Sequence, residues 1–220
     1  MDVALPSGET VPAHDFFTRA RARLTLDVPA ALNDHAAQAK RGDLDLDPVL
    51  WERAGVKATR PAAVLIPVVD RPEPMVLLTL RTELPSHPGQ IAFPGGKIHL
   101  HDATPADAAM READEEIGLA RSLIDPIGYL DLYLTTFGFR IVPLVARIAP
   151  GFALTLNPEE VDDAFEVPLA FLMAPENHHR KSREWNGLTR HFYEMPFGER
   201  YIWGATAGIL RNLYERIYAA

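Results

Sequence analysis

Three carboxylates, Glu112, Glu115 and Glu116, stand at i, i+3 and i+4 within Arg111-Glu112-Ala113-Asp114-Glu115-Glu116-Ile117-Gly118-Leu119. On a helix that spacing puts them on one face. Like charges so placed repel, and the last turns of a helix disfavour anions. A helix answering only to its own stability would carry Lys or Arg there. The arrangement becomes favourable when a cation fills the space between the carboxylates. Hard oxygen donors in that number suit Mg²⁺ or Mn²⁺. Spacing alone leaves a second reading open, a solvated acidic face on a surface helix.

The flanking residues mark this helix clearly. Thr104 suits the N-cap, Pro105 the first helical position, and Asp107 the reach-back position of a capping box. Gly118 suits the left-handed residue that ends a helix. Gly95-Gly96 makes a turn upstream, and a loop from Lys97 to Ala103 joins turn to helix.

Other elements must hold that unit. Ala62 to Val69 is a continuous apolar run, which predicts a strand buried on both faces. Pro72-Glu73-Pro74 is a turn, and Met75 to Arg81 a second strand, so the two form a hairpin. Leu84 to Gln90 is a loop, and Ile91-Ala92-Phe93 is short and apolar. Ile127 to Thr135 and Phe139 to Ile148 are β-rich, and Phe152 to Leu156 continues the sheet. Asn157-Pro158-Glu159-Glu160 is an acidic turn. Ala164 to Val167 is a strand and Pro168 to Met173 a short helix. His178 to Gly187 is polar and reads as a mobile loop. Arg190 to Met195 alternates like a strand. Trp203 to Tyr218 carries Ile209, Leu210, Leu213 and Ile217 at helical spacing. Before the core, Asp15 to Leu24 and Pro29 to Arg41 are helix candidates, and Asp43 to Pro48 reads as a linker. Residues 1–60 are an N-terminal helical extension, followed by the main domain at 61–220. This mixture predicts an α/β or α+β sandwich.

Composition limits the function. The chain has 220 residues, 47% of them hydrophobic, enough for a full core. Its net charge of −8 argues against a nucleic-acid-binding surface and weakens an RNA-decapping reading. With no cysteine, a disulfide framework or thiolate site is excluded. No basic region followed by an apolar run opens the chain, so no signal peptide is expected. No apolar stretch approaches the ~18 residues of a membrane span. A cytoplasmic protein with no membrane partner is expected.

The segment Arg111 to Leu119 resembles the Arg-Glu-U-x-Glu-Glu-x-Gly-U core of the Nudix box, where U is bulky or aliphatic; Ala113 is small for the first U. The resemblance implies a Nudix fold, a mixed β-sheet sandwiched between α-helices. It also implies a metal-dependent hydrolase of a nucleoside diphosphate linked to another group, with Mg²⁺ or Mn²⁺ as cofactor. Between Gly96 and Arg111 the chain holds one residue more than the usual box, and Asp102 replaces the usual Glu. Both features resemble the coenzyme A pyrophosphatase branch. Leu77-Leu78-Thr79-Leu80-Arg81-Thr82 and Gly89-Gln90-Ile91-Ala92-Phe93-Pro94-Gly95-Gly96 are similar to that branch's upstream motif, as are Phe165 to Leu169 and Ile202 to Thr206 further on. The second Arg of the motif is missing, with Leu84-Pro85-Ser86 in its place.

The resemblance implies roles for single residues. Glu112 and Glu116 are the first choice as metal ligands, Glu115 is a ligand or base, and Gly96 adds a backbone carbonyl. Arg111 pairs with carboxylates and holds them in place rather than touching substrate. Glu159 or Glu160 offers a further base or ligand, against the reading of a solvated turn. Arg81 is a phosphate contact or a surface ion pair. Lys97 approaches phosphate or is merely exposed. Asp102 orients the loop. His178-His179 reads as solvated loop rather than a metal pair. Phe137 and Trp203 read as core packing rather than adenine stacking. The implied substrate is coenzyme A or a derivative, cleaved to 3′,5′-ADP and 4′-phosphopantetheine. ADP-ribose or another nucleoside diphosphate is the alternative that the missing Arg favours, and a non-hydrolysing nucleotide sensor is the alternative outside catalysis. Residues 1–60 complete the substrate pocket or form a homodimer contact.

Overall fold

The computed structural model describes residues 13–34, 41–47, 60–82, 89–185 and 188–219. Nine strands join in one mixed sheet: β1 (Arg41–Gly42), β2 (Arg60–Val69), β3 (Met75–Arg81), β4 (Ile91–Ala92), β5 (Gly95–Lys97), β6 (Ile124–Tyr129), β7 (Tyr133–Leu134), β8 (Phe139–Ile148) and β9 (Val161–Pro168). A second, antiparallel sheet holds β10 (His179–Trp185), β11 (Leu188–Phe197) and β12 (Arg200–Trp203). The helices are α1 (Ala13–Arg23), α2 (Pro105–Ile117), α3 (Leu169–Met173) and α4 (Gly204–Tyr214).

β2 is the spine. It runs parallel to β8 from Arg60↔Phe139 to Val69↔Ile148, and antiparallel to β5 at Ala62–Val64. Its pairing with β3 is confined to Val68↔Val76 and Val69↔Met75, so the predicted hairpin is short. Beyond it, β3 pairs along its length with β9. Because side chains alternate along a strand, β2 feeds two cores. Ile66 and Val68 enter one with α1, α3 and α4, through Phe16, Leu172 and Leu210 among others. Ala63, Leu65 and Val69 enter the other with α2, through Ala109, Ala113 and Ile117. The result is a mixed sheet between helices, as the sequence implies. No helix among the described residues is long and apolar enough to cross a membrane.

Five expectations need correction. The second N-terminal helix is a single turn at Ala30–Leu32, and the chain returns at Arg41–Gly42 as an edge strand on Tyr133–Leu134. The intervening residues 35–40 lie outside the described set. The stretch expected as a linker is built into the fold through residue 47. Leu44 is buried, and Asp43 accepts hydrogen bonds from the Thr136 backbone N–H (2.8 Å) and the Tyr133 hydroxyl (3.2 Å). Phe152–Leu156 is extended but joins no sheet. Thr155 and Asn157 instead donate their N–H groups to the Ile117 and Glu116 carbonyls, both at 2.9 Å, satisfying the open end of α2. Within the expected loop His178–Gly187, His179–Trp185 form strand β10, fixed by cross-strand pairing with β11, and residues 186–187 lie outside the described residues. His178 itself is buried, with Nε2 2.7 Å from the Leu172 carbonyl. The Ile127–Thr135 run also breaks in two, β6 ending at Tyr129 and β7 resuming at Tyr133. Residues 83–88, including Leu84-Pro85-Ser86, fall outside the described residues.

Candidate active site

Helix α2 starts and stops on local chemistry. Thr104 Oγ1 accepts from the Asp107 N–H at 3.1 Å, and its own O–H donates to Asp107 Oδ2 at 2.7 Å. The reach-back therefore meets the cap's hydroxyl. Gly118, at φ 67°, turns the chain out of the helix. Between these ends, Ala108, Ala109 and Ala113 are fully buried against the sheet. Their small side chains let the helix lie close to β2 and β5. Ala113, small for the box, belongs to that contact.

The close approach drives Glu116 under β5. Its side chain is only 3% exposed. Oε2 accepts the Gly95 N–H at 3.1 Å, and Oε1 lies 3.8 Å from Arg81 Nη1. Burial pushes this carboxyl up to about 7, against the Gly95 N–H and Arg81, while Glu112 and Glu160 push it further up. Burial also raises Glu112, opposed by Arg111 and aided by Glu115 and Glu160. Glu160, from the turn before β9, thus acts on both helix carboxylates. Three acids converge in a half-dry space, opposed by Arg81 at Glu116 and by Arg111 at Glu112. That is the electrostatic setting a hard divalent cation requires.

Arg111 runs along the other side of Glu112. Nε and Nη2 grip Asp102 at 3.0 Å each, Nη1 reaches Glu112 at 2.8 Å and Glu115 at 2.9 Å, and Nη2 also donates to the Lys97 carbonyl at 3.1 Å. The guanidinium holds Asp102 down to about 2. In turn, hydrogen bonding to Asp102 holds the guanidinium pKa above its ordinary value.

A cavity of about 760 Å³ opens over these residues. Arg81, Gly96, Lys97, Glu112, Glu116 and Glu160 line one part. Arg111, Glu115 and Glu159 are not among its lining residues. Glu115 is half-exposed and turned to Arg111, and Glu159 is exposed. The structure therefore brings together six residues singled out in the sequence and sets Glu115 apart. Phe137 and Trp203 also line the cavity, Phe137 with 57% exposure, so neither is plain core packing. His178 and His179 diverge, one buried and the other exposed near Glu194.

Sequence reasoning missed the far wall. Arg183 and Arg190 face each other directly across β10 and β11, and both line the cavity with Asp43. Like charges directly opposite across a sheet are unfavourable. The signal was there in Arg180, Lys181, Arg183 and Arg190, but it needs the hairpin register to become a pair.

The profile of the NUDIX domain matches residues 59–186, more than half of the chain. The chain belongs to the Nudix hydrolase family. Nudix proteins named uncharacterized Nudix hydrolase NudL, from Yersinia pestis and Yersinia pseudotuberculosis, are 36% identical over 159 residues, which cover 72% of this chain and 80% of theirs. Among solved structures, a NUDIX hydrolase from Alicyclobacillus acidocaldarius is 20% identical with a TM-score of 0.43, over 52% of this chain and 81% of its own. Nudix hydrolases work with divalent cations, and the donor set at Glu112, Glu116 and Glu160 fits one.

Gly96 sets the tolerance of this Nudix site. A Cβ there would stand 2.5 Å from the Glu112 carboxyl. The carboxyl is held by Arg111 and cannot swing away freely. Gly96→Ala should fold normally and weaken Mg²⁺ or Mn²⁺ binding about 10- to 100-fold, the scale seen when a group supporting a ligand is disturbed. Calorimetric titration with Mn²⁺ checks this.

Proposed function

We propose that this Nudix hydrolase cleaves the pyrophosphate of coenzyme A or its acyl derivatives, releasing 3′,5′-ADP and 4′-phosphopantetheine or its acyl form. What supports this reading is that one cavity is lined both by the acid cluster under Gly96 and by the cross-strand arginines Arg183 and Arg190, the second of them 4.0 Å from Asp43. A substrate with a pyrophosphate and a separate phosphate monoester has one anion for the cation at the acid cluster and another for the arginines. Glu112, Glu116 and the Gly96 carbonyl would hold the cation. When bound, a divalent ion neutralises the bridging phosphates and lowers the pKa of an attacking water. Arg81, beside Glu116, and Lys97, at the mouth, meet phosphate oxygens. Glu160, on the cavity wall, is better placed than Glu115 to accept the water proton. Arg111 positions Glu112 and the loop. Gly42, Asp43, Asp45 and Leu46 line the same cavity, which supports a part for the N-terminal segment in the substrate pocket.

The test is product analysis on coenzyme A, ADP-ribose and NADH, each with Mg²⁺ and Mn²⁺. Phosphopantetheine from coenzyme A as the fastest reaction supports the proposal. Rapid ADP-ribose turnover without it favours the reading that the missing second Arg suggested. Arg183→Ala with Arg190→Ala should raise KM for coenzyme A roughly tenfold or more, the scale of one lost charge-assisted contact. The KM for 3′-dephospho-coenzyme A should hardly move. Steady-state kinetics on the pair checks this.

A further inference from the structure

The loop between β5 and α2 carries two histidines that phosphoanhydride cleavage leaves unused, next to Asp102, the carboxylate that anchors Arg111. His99, His101 and Asp102 each offer one ligand atom, and these atoms lie within 4.8 Å of one another. The two imidazole rings stand 5.2 Å apart at their centroids, tilted by 56°. His101 Nε2 is 3.9 Å from Asp102 Oδ1. Among the described residues neither ring makes a hydrogen bond, so the ring nitrogens are available.

The carboxylate is held firmly. Asp102 Oδ2 accepts the His99 N–H at 2.8 Å and Arg111 Nη2 at 3.0 Å, and Oδ1 accepts Arg111 Nε at 3.0 Å. A carboxylate offers about four acceptor positions. Three are used, and the one that remains is on Oδ1, the oxygen nearest His101. The Asp102 side chain is 3% exposed, whereas both histidines are exposed. One anchored donor therefore sits beside two that can adjust.

We propose that His99, His101 and Asp102 form a second metal site, for a transition-metal ion such as Zn²⁺ or Ni²⁺, separate from the carboxylate site. Two imidazoles and one carboxylate are the donors of such ions, whereas Mg²⁺ takes oxygen. Tetrahedral bonds of about 2.0–2.1 Å bring ligand atoms to roughly 3.4 Å of one another. Rotations of the two exposed histidines close the 3.9 Å gap from His101 to Asp102 and bring in the remaining ligand atoms, which already lie within 4.8 Å of one another. Water fills the open positions.

The experiment uses the full chain without a histidine tag, in saturating Mg²⁺, with Zn²⁺ as the probe. Equilibrium dialysis should find one Zn²⁺ per chain in the wild type. His99→Ala and His101→Ala should each weaken it at least tenfold without changing Tm, since both side chains are exposed. Glu116→Gln should retain it. Imidazole ¹⁵N shifts of His99 and His101 should move on Zn²⁺ addition, with the other histidines unmoved. Absence of Zn²⁺ binding by the wild type overturns the site. So does unchanged binding in the double His variant, or loss of binding in Glu116→Gln.

Discussion

Glu116→Gln is expected to lower pyrophosphate hydrolysis roughly 10³-fold at saturating Mg²⁺, within the range of losing a positioned ionisable group, while the chain stays folded. Gln preserves shape and can still accept the Gly95 N–H. Only the charge is removed. The same substitution should change the pH dependence of stability in the metal-free protein. The Glu116 carboxyl, ordinarily near 4.5, is pushed up to about 7 by burial. The native state thus binds this proton more tightly than the unfolded chain. Its contribution is fully present below about pH 4.5 and is lost as pH rises through 7. The full shift corresponds to on the order of 3 kcal/mol. Metal-free wild type should therefore lose Tm between pH 5 and 8 relative to Glu116→Gln. Adding Mg²⁺ at pH 8 should restore the wild type and leave the variant unchanged. Parallel Tm curves for the two proteins would place the buried charge elsewhere.

What the sequence made legible was local. Thr104, Pro105 and Gly118 fix the ends of α2 through bonds made within a turn of themselves, so they could be read without the fold. The unbroken apolar run of β2 likewise announced a strand with two buried faces. The far wall of the cavity had no such signature. β10 is polar from His179 to Glu184, and its order comes from backbone pairing with β11, whose Met195 is buried at the far end of the hairpin. Whether Arg183 meets Arg190 depends on the register of the two strands, from His179↔Glu194 to Trp185↔Leu188. Helical spacing also grouped Glu115 with its neighbours as equals. Which carboxylates enter the cavity is decided by β5, which covers the side of the helix bearing Glu112 and Glu116. That is non-local information, carried by the pairing of Gly95 and Gly96 with Val64 and Ala63. Asp43 reached the cavity by the same kind of route, through hydrogen bonds to residues some ninety positions away.

Arg111→Ala is expected to cost about 3 kcal/mol of stability and to lower kcat roughly 10- to 100-fold, through one cause. Five contacts use the guanidinium fully, and they run to Asp102, Glu112, Glu115 and the Lys97 carbonyl. Removing it takes away the cation of Asp102, 97% of whose side chain is out of water, and leaves the carboxylate with the His99 N–H. Lysine should not rescue activity, because one ammonium cannot reach four acceptors in a plane. Acid titration separates the two effects. Arg111 holds Asp102 at about 2, below its ordinary 3.8, so this stabilisation is present above pH 3.8 and lost as pH falls through 2. The variant should therefore begin to unfold at a higher pH than the wild type. Asp102→Asn combined with Arg111→Ala removes the buried charge and should recover part of the Tm. It should not recover kcat, since Glu112 still lacks the hydrogen bond that aims it beneath Gly96. If kcat returns with Tm, Arg111 is a structural staple only, and the packing of Gly96 against Glu112 is enough to set the ligand.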